Sequence, residues 1–119
     1  MNHTLTKIEI ITRPTKLQPL KDGLLKIGIT GMTVSNVLGC GMSKGYTEVY
    51  RGLKRELNLH EKIKIEIVVC DVPVKDVIST AQKILHTGQF GDGKIFVYEI
   101  ANAIKIRTGE EGRDALQDK

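Results

Sequence analysis

One pattern, written twice, constrains this chain most. An alternating segment leads into a stretch with helical spacing that carries proline at its start and glycine past its end, and a second alternating segment follows. In the first copy Leu5 to Thr12 alternates, with Ile8 and Ile10 to one side and Lys7 and Glu9 to the other, and Arg13-Pro14 ends it. Leu17, Leu20, Leu24 and Ile27 then recur at helical spacing; Pro19 suits the first turn and Gly28 the stop. Ile29 to Leu38 predicts a second strand with Met32, Val34 and Leu38 in phase. In the second copy Lys62 to Cys70 alternates, placing Ile63, Ile65, Ile67 and Val69 on one face. Pro73 opens a helix that turns Val74, Val77, Ile78, Ala81, Ile84 and Leu85 to the core, and Gly88 lies just past its end. Lys94 to Ile100 predicts a fourth strand, Ala103 to Arg107 a short fifth, and the residues from Glu110 onward a soft tail.

A doubled βαβ unit of this length predicts an α+β fold, a ferredoxin-like sandwich with two helices on one face of an antiparallel sheet. With 119 residues there is room for one domain, and with 40% apolar residues but no Trp the core must be Ile, Val and Leu. The second sheet face cannot stay bare. Phe96, Tyr98 and Val68 alternate with the core set, so burial against other copies of the chain is expected. Cys40 and Cys70 lack a CxxC or Cys/His cluster, which argues against zinc, and without a leader segment they read as reduced and cytosolic. Apolar runs are too short to span a membrane. Lys and Arg exceed Asp and Glu by 18 to 14; a net charge of +4 suits a phosphate-bearing ligand and is too weak and dispersed to argue for nucleic acid.

Two places break the regular pattern. Gly39 to Glu61 has mixed charges and several glycines but no periodicity, and a stretch this long in a compact domain predicts a functional loop. Thr87 to Lys94 reads Thr-Gly-Gln-Phe-Gly-Asp-Gly-Lys, close to the phosphate-binding G-x-x-x-x-G-K-[ST]. Ile95 stands where the magnesium-binding hydroxyl belongs, and the segment runs from helix to strand, the reverse of a P-loop, so that motif is rejected. The chemistry survives: closely spaced glycines let N–H groups approach anionic oxygens, and Lys94 adds a charge. The plain alternative is a helix-to-strand turn. Gly39-Cys-Gly41 alone reads as a bulge or turn, and Lys105, Arg107 and Thr108 as a solvated strand end. Glu110 to Arg113 reads as solvated tail, and His86 as a partner of its helix dipole. No nucleophile-and-base arrangement is visible, which leaves catalysis without a positive case.

In order along the chain, Ile10 to Leu17, Gly28 to Val34, Lys44 to Gly52, Lys62 to Val69, Thr87 to Val97 and Ile106 to Glu110 together resemble the nitrogen-regulatory PII signalling family. The resemblance covers nearly the whole chain. It implies a single domain over 1–119, a homotrimer, and clefts between subunits that bind ATP or ADP. It also implies a partner-docking T-loop at about 41–58, a B-loop at 87–92 and a C-loop at about 105–113 that serves the neighbouring subunit. By the same resemblance the nucleotide contacts fall on Thr33, Gly39, Gly41, Met42, Glu66, Val68, Gly91, Asp92, Gly93, Lys94, Lys105 and Arg107.

The departures from the family pattern shape the expected function. Met42 replaces an Arg that faces phosphate, and Lys105 replaces an Arg, keeping charge but losing the fork. The positions corresponding to the family's 2-oxoglutarate contacts are Ser43 and Lys62; Ser43 replaces the Gln that also helps hold magnesium. Arg55 and Leu53 stand at the usual sites of covalent modification. The expectation is a non-enzymatic, cytoplasmic sensor of ATP and ADP. It would act through Lys44, Tyr46, Tyr50, Arg51, Lys54 and Arg55 of its T-loop on a protein partner, a membrane transporter or a metabolic enzyme, which could recruit it to the membrane. The alternatives are a full nitrogen and carbon sensor that also binds 2-oxoglutarate with Mg-ATP, a small ATPase or phosphotransferase, and an RNA-binding module of the same architecture.

Overall fold

In the computed structural model, residues 4–41 and 58–117 are described. Strand β1 (Leu5–Thr12) leads through a 3-10 turn (Pro14–Lys16) into helix α1 (Leu17–Lys26), then β2 (Thr33–Gly41). After the intervening segment come β3 (Asn58–Val69), α2 (Val74–Leu85), β4 (Lys94–Ile100) and a 3-10 helix (Gly112–Leu116). The strands form one antiparallel sheet in the order β2-β3-β1-β4. This is the doubled βαβ arrangement expected from the sequence.

Both helices lie on one sheet face. Ile8 and Ile10 of β1 and Ile63, Ile65, Ile67 and Val69 of β3 are buried there against Leu20 and Leu24 of α1 and Val77, Ala81 and Leu85 of α2. Helix α1 ends as its sequence predicts. Gly28 has φ +98°, Gly28 N donates to Leu25 O, and Ile29 N donates to Leu24 O, the paired bonds of a Schellman motif. The two helices meet closely at Gly23, where a Cβ would stand 2.3 Å from Ile84 Cδ1.

The open face carries Lys7, Glu66, Phe96 and Tyr98. Tyr98 is 44% and Phe96 42% exposed, so this apolar surface is uncovered in one protomer. Lys7 Nζ lies 2.7 Å from Glu66 and 5.2 Å from the Tyr98 ring centroid. The hydrogen bond to Glu66 raises the Lys7 pKa and lowers that of Glu66.

Several boundaries differ from expectation. Strand β2 starts at Thr33, not Ile29, because the Ile29 amide caps α1 and its side chain enters the core. The regular pairing also reaches further into the glycine-rich segment than the sequence suggests. Gly39, Cys40 and Gly41 pair with His60, Leu59 and Asn58, so β3 begins at Asn58, not Lys62, and ends one residue earlier, at Val69. Leu38 and Leu59 are both 63% exposed on this ribbon, which buries neither side chain and leaves no alternation to read. Gly88 does not stop α2: the helix ends at Leu85 with His86 already extended. The fifth strand is only an isolated bridge between Ile104 and Glu111, since Gly109 and Gly112 at positive φ fold the chain back on itself. Nor is the tail soft as far as Gln117. It forms the 3-10 helix, and Arg113 Nε donates to both oxygens of Asp71 at 2.9 and 3.0 Å.

Candidate functional site

At one end of the sheet, five side chains shape the loop between α2 and β4. The Asp92 carboxylate accepts from Thr87 N at 2.8 Å, Gly88 N at 2.9 Å, the Thr87 hydroxyl, and Arg13 Nη1 at 2.6 Å. These donors, the Thr87 hydroxyl foremost, hold the Asp92 carboxyl far below the usual carboxylate range. The loop's carbonyls are fixed as well. Phe90 O accepts from Arg13 Nη2 at 2.7 Å, Gly91 O from Lys62 Nζ at 3.0 Å, and Asp92 O from the buried Thr12 hydroxyl at 2.8 Å.

This arrangement has a direct electrostatic consequence. In a trans peptide the N–H points opposite to the C=O of the same unit. With the carbonyls of Phe90, Gly91 and Asp92 drawn toward Arg13, Lys62 and Thr12, the N–H groups of Gly91, Asp92 and Gly93 point away from them. Successive N–H groups turned outward are an anion-binding arrangement, and Lys94 follows immediately at the start of β4. The backbone demands glycine here: Gly91 has φ +100° and Gly93 φ +102°. A Cβ on Gly93 would lie 1.8 Å from Ile11 O.

The residues expected at the site fall into three places. Gly91, Asp92, Gly93 and Lys94 form the loop described. Gly39 adjoins it through Lys62, whose Cγ is 3.4 Å from where a Gly39 Cβ would stand. Gly41 continues the same ribbon. Thr33, Glu66 and Val68 lie further along the sheet, Thr33 paired with Glu66 and Val68 opposite Lys7. From Thr33 to Gly39 the strand covers roughly 20 Å, so these residues flank the loop as a track running away from it.

Lys105 and Arg107 lie apart from all of these. They lie beyond the far end of β4, whose seven residues separate them from Lys94 by roughly 20 Å of strand. Arg107 is exposed. The Lys105 ammonium instead donates to Gln117 O and lies 3.5 Å from Glu110 Oε1. Met42, Ser43, Lys44, Tyr46, Tyr50, Arg51, Leu53, Lys54 and Arg55 lie outside the described residues, as does most of the proposed T-loop.

Some organising residues carried no usable signal. Arg13 reads in the sequence only as the end of a strand before proline, yet it grips the loop by both a carboxylate and a carbonyl. Thr12 reads in the sequence only as the last residue of the first alternating segment, yet its hydroxyl holds Asp92 O. Asp92 was expected as a ligand contact; its carboxylate is engaged inside the loop, which leaves its N–H as the group that can meet a ligand. His86 was expected to serve the helix dipole; its Nδ1 also stands 4.0 Å from Asp92 Oδ2. Among the described residues no group of His, Cys, Asp and Glu could hold a metal ion, and no helix is long and apolar enough to cross a membrane.

The depressed Asp92 pKa sets an expected pH response. The carboxylate form is favoured in the fold, so its contribution is complete above the ordinary carboxylate value of about 3.9 and is lost only as pH falls through the lowered one. The amide resonances of Thr87 and Gly88 should therefore stay unshifted by Asp92 titration from neutral pH to about pH 4. A midpoint at or above the ordinary carboxylate value, followed at the Asp92 side-chain carboxyl carbon itself, would contradict the hydrogen-bond arrangement.

Known proteins are similar to this chain in sequence and fold. The family model described as nitrogen regulatory protein P-II matches residues 5–110. The chain is 58% identical over 116 residues to the nitrogen regulatory PII-like protein of Bacillus subtilis, covering 98% of this chain and all of that one. It is 47% identical over 112 residues to the nitrogen regulatory protein P-II of Rhodospirillum rubrum, covering 94% of this chain and all of the relative. Among solved structures, the B. subtilis GlnK–ATP complex is similar at a TM-score of 0.83 with 58% identity, covering 94% of this chain and 97% of that one. Arabidopsis thaliana PII bound to citrate is similar at a TM-score of 0.74 with 39% identity, covering 96% of this chain and 94% of that one. With the family model spanning nearly the whole fold and these relatives matched along almost their full lengths, the chain belongs to the nitrogen regulatory P-II family.

Proposed function

We propose that this protein is a non-enzymatic, cytoplasmic sensor of ATP and ADP. It binds them in clefts between the subunits of a homotrimer and passes their identity to a protein partner through the segment between Gly41 and Asn58. The observation that carries this is the outward run of N–H groups at Gly91, Asp92 and Gly93, backed by Lys94. Such a run suits a polyphosphate. Arg107 is the natural second cation, yet it stands beyond the other end of β4, so the two can flank one ligand only if different subunits supply them. The exposed apolar face around Phe96 and Tyr98 supplies the surface for assembly. The solved GlnK–ATP complex of a relative with 58% identity supports the choice of adenine nucleotide.

In this proposal Thr33, Glu66 and Val68 face the adenine side, Gly39 and Gly41 approach the phosphates, and Met42 lies beside them without adding charge. The ribbon of β2 and β3 that flanks the glycine loop also leads into the partner-facing segment. Lys62 joins the two, because its ammonium holds Gly91 O. A nucleotide can shift that segment only by its different affinity for the segment's states. Partner binding is assigned to Lys44, Tyr46, Tyr50, Arg51, Lys54 and Arg55, with a transporter at the membrane or a metabolic enzyme as the partner. Arg51→Ala should lose nucleotide-dependent capture of that partner in pull-downs.

Calorimetric titration of the full-length protein, together with light scattering, tests the core of the proposal. A trimer with up to three sites for ATP and for ADP is expected. A stable monomer, or absence of binding for both nucleotides, would overturn it. The same titration separates this sensor from one that also reads 2-oxoglutarate with Mg-ATP. Ser43 lacks the reach of a Gln amide, and Lys62 is already engaged by Gly91 O, so 2-oxoglutarate should bind weakly or not at all. Micromolar binding of 2-oxoglutarate would establish the wider sensor instead.

A further inference from the structure

We infer that Lys105 is a positioning residue: it pins the turn between Ala103 and Gly112 to the C-terminal segment and thereby fixes where Arg107 stands, rather than contacting phosphate itself. This rests on the nucleotide site proposed above. The two basic residues of this turn have opposite environments. Arg107 is exposed and its neighbour Ile106 is 99% exposed, whereas the Lys105 side chain is only 14% exposed. The Lys105 ammonium donates to Gln117 O, and Glu110 Oε1 lies 3.5 Å away. Its backbone closes the same turn from within: Lys105 N donates to Glu110 O at 2.8 Å, and Gly109 N donates to Lys105 O at 2.7 Å.

The segment that receives Lys105 is itself anchored. Gly112 N donates to Ala103 O at 2.9 Å, Asn102 Nδ2 to Glu111 Oε1 at 2.8 Å, and Arg113 Nε to both Asp71 oxygens. The turn is thus tied to the connection between β3 and α2, and Lys105 holds its inner side. An ammonium is suited to this, since its three donors can meet a carbonyl and a carboxylate in different directions. Moving it to a phosphate would break both contacts and leave the half-buried Gln117 carbonyl without its donor. No residue of the turn or the C-terminal segment belongs to the core cluster, so substitution here should leave the sheet and helices intact.

The test uses full-length Lys105→Gln, which removes the charge, beside Arg107→Gln. Amide hydrogen exchange at Lys105, Gly109 and Gly112 is measured without nucleotide, and ATP and ADP are then titrated. Lys105→Gln should speed exchange at those amides about tenfold or more. It should weaken ATP more than ADP, by no more than Arg107→Gln does, and cost no further affinity when combined with Arg107→Gln. Arg107→Gln should leave exchange unchanged and weaken ATP more than ADP. The assignment is overturned if Lys105→Gln leaves exchange at the wild-type rate, or if it weakens ATP further in a protein that already carries Arg107→Gln, as an independent phosphate ligand would. Should the wild-type protein bind neither nucleotide, the proposed site fails while the exchange rates alone still decide whether Lys105 is the pin.

Discussion

Gly93→Ala should weaken ATP binding about a hundredfold or more while leaving the sheet and helices folded. At φ +102° an alanine is strained, and its Cβ would stand 1.8 Å from Ile11 O and 3.0 Å from Thr12 Cα. Neither atom can retreat easily. Ile11 lies in β1, between β3 and β4, where it pairs with Lys64 on one side and Lys94 on the other. The loop must move instead, and the Thr12 hydroxyl then loses Asp92 O. Strain of this kind costs roughly 1–3 kcal/mol before the clash is counted, so affinity should fall about a hundredfold or more. Calorimetry with circular dichroism as a check on folding measures it. Wild-type ATP affinity in this variant would show that the outward N–H groups are not the phosphate site.

Lys94→Ala and Arg107→Ala should each weaken ATP more than ADP, because ATP places more negative charge at the phosphate end. Each lost charged hydrogen bond is worth on the order of 1.5–3 kcal/mol, or roughly 10- to 150-fold in affinity. Competitive titration of the two nucleotides gives the ratio directly. Equal weakening of both would move these side chains away from the terminal phosphate, and no effect from either would remove them from the site.

Much of the fold is legible in the sequence because burial is one-sided. Ile63, Ile65, Ile67 and Val69 alternate because one face of β3 is packed and the other is not, and all four are buried. Gly28 announces the end of α1 because the φ it adopts strains other residues. Where both faces of a strand meet solvent, that logic fails. The ribbon from Gly39 to Gly41 with Asn58 to His60 pairs regularly, yet its exposed side chains obey no pattern. The turn after β4 misleads for a related reason: its bonds are local and polar, so alternation suggests a strand that the backbone does not make.

The glycine loop was legible as chemistry but not as geometry. Closely spaced glycines beside a lysine suggest an anion, and they occupy the positions where positive φ is required. What directs the loop is distant in sequence. Arg13 and Thr12 leave β1, and Lys62 comes from β3, and nothing in their local sequence links them to residues 87–92. The side chains of Asp92 and Lys105 show the same distance from local sequence: the Asp92 carboxylate meets Arg13, and the Lys105 ammonium meets Gln117 O.

Each cleft is expected to draw Lys94 from one subunit and Arg107 from another. Trimers of Lys94→Ala and Arg107→Ala can be mixed in denaturant and refolded together, with the same two samples mixed after refolding as the control. If the residues meet across subunits, about a quarter of the clefts in the co-refolded sample pair an intact Lys94 with an intact Arg107. That fraction should bind ATP with wild-type affinity, and the control should not. If the co-refolded sample binds ATP no better than the control, the two residues do not complete each other's site, and the intersubunit cleft is contradicted.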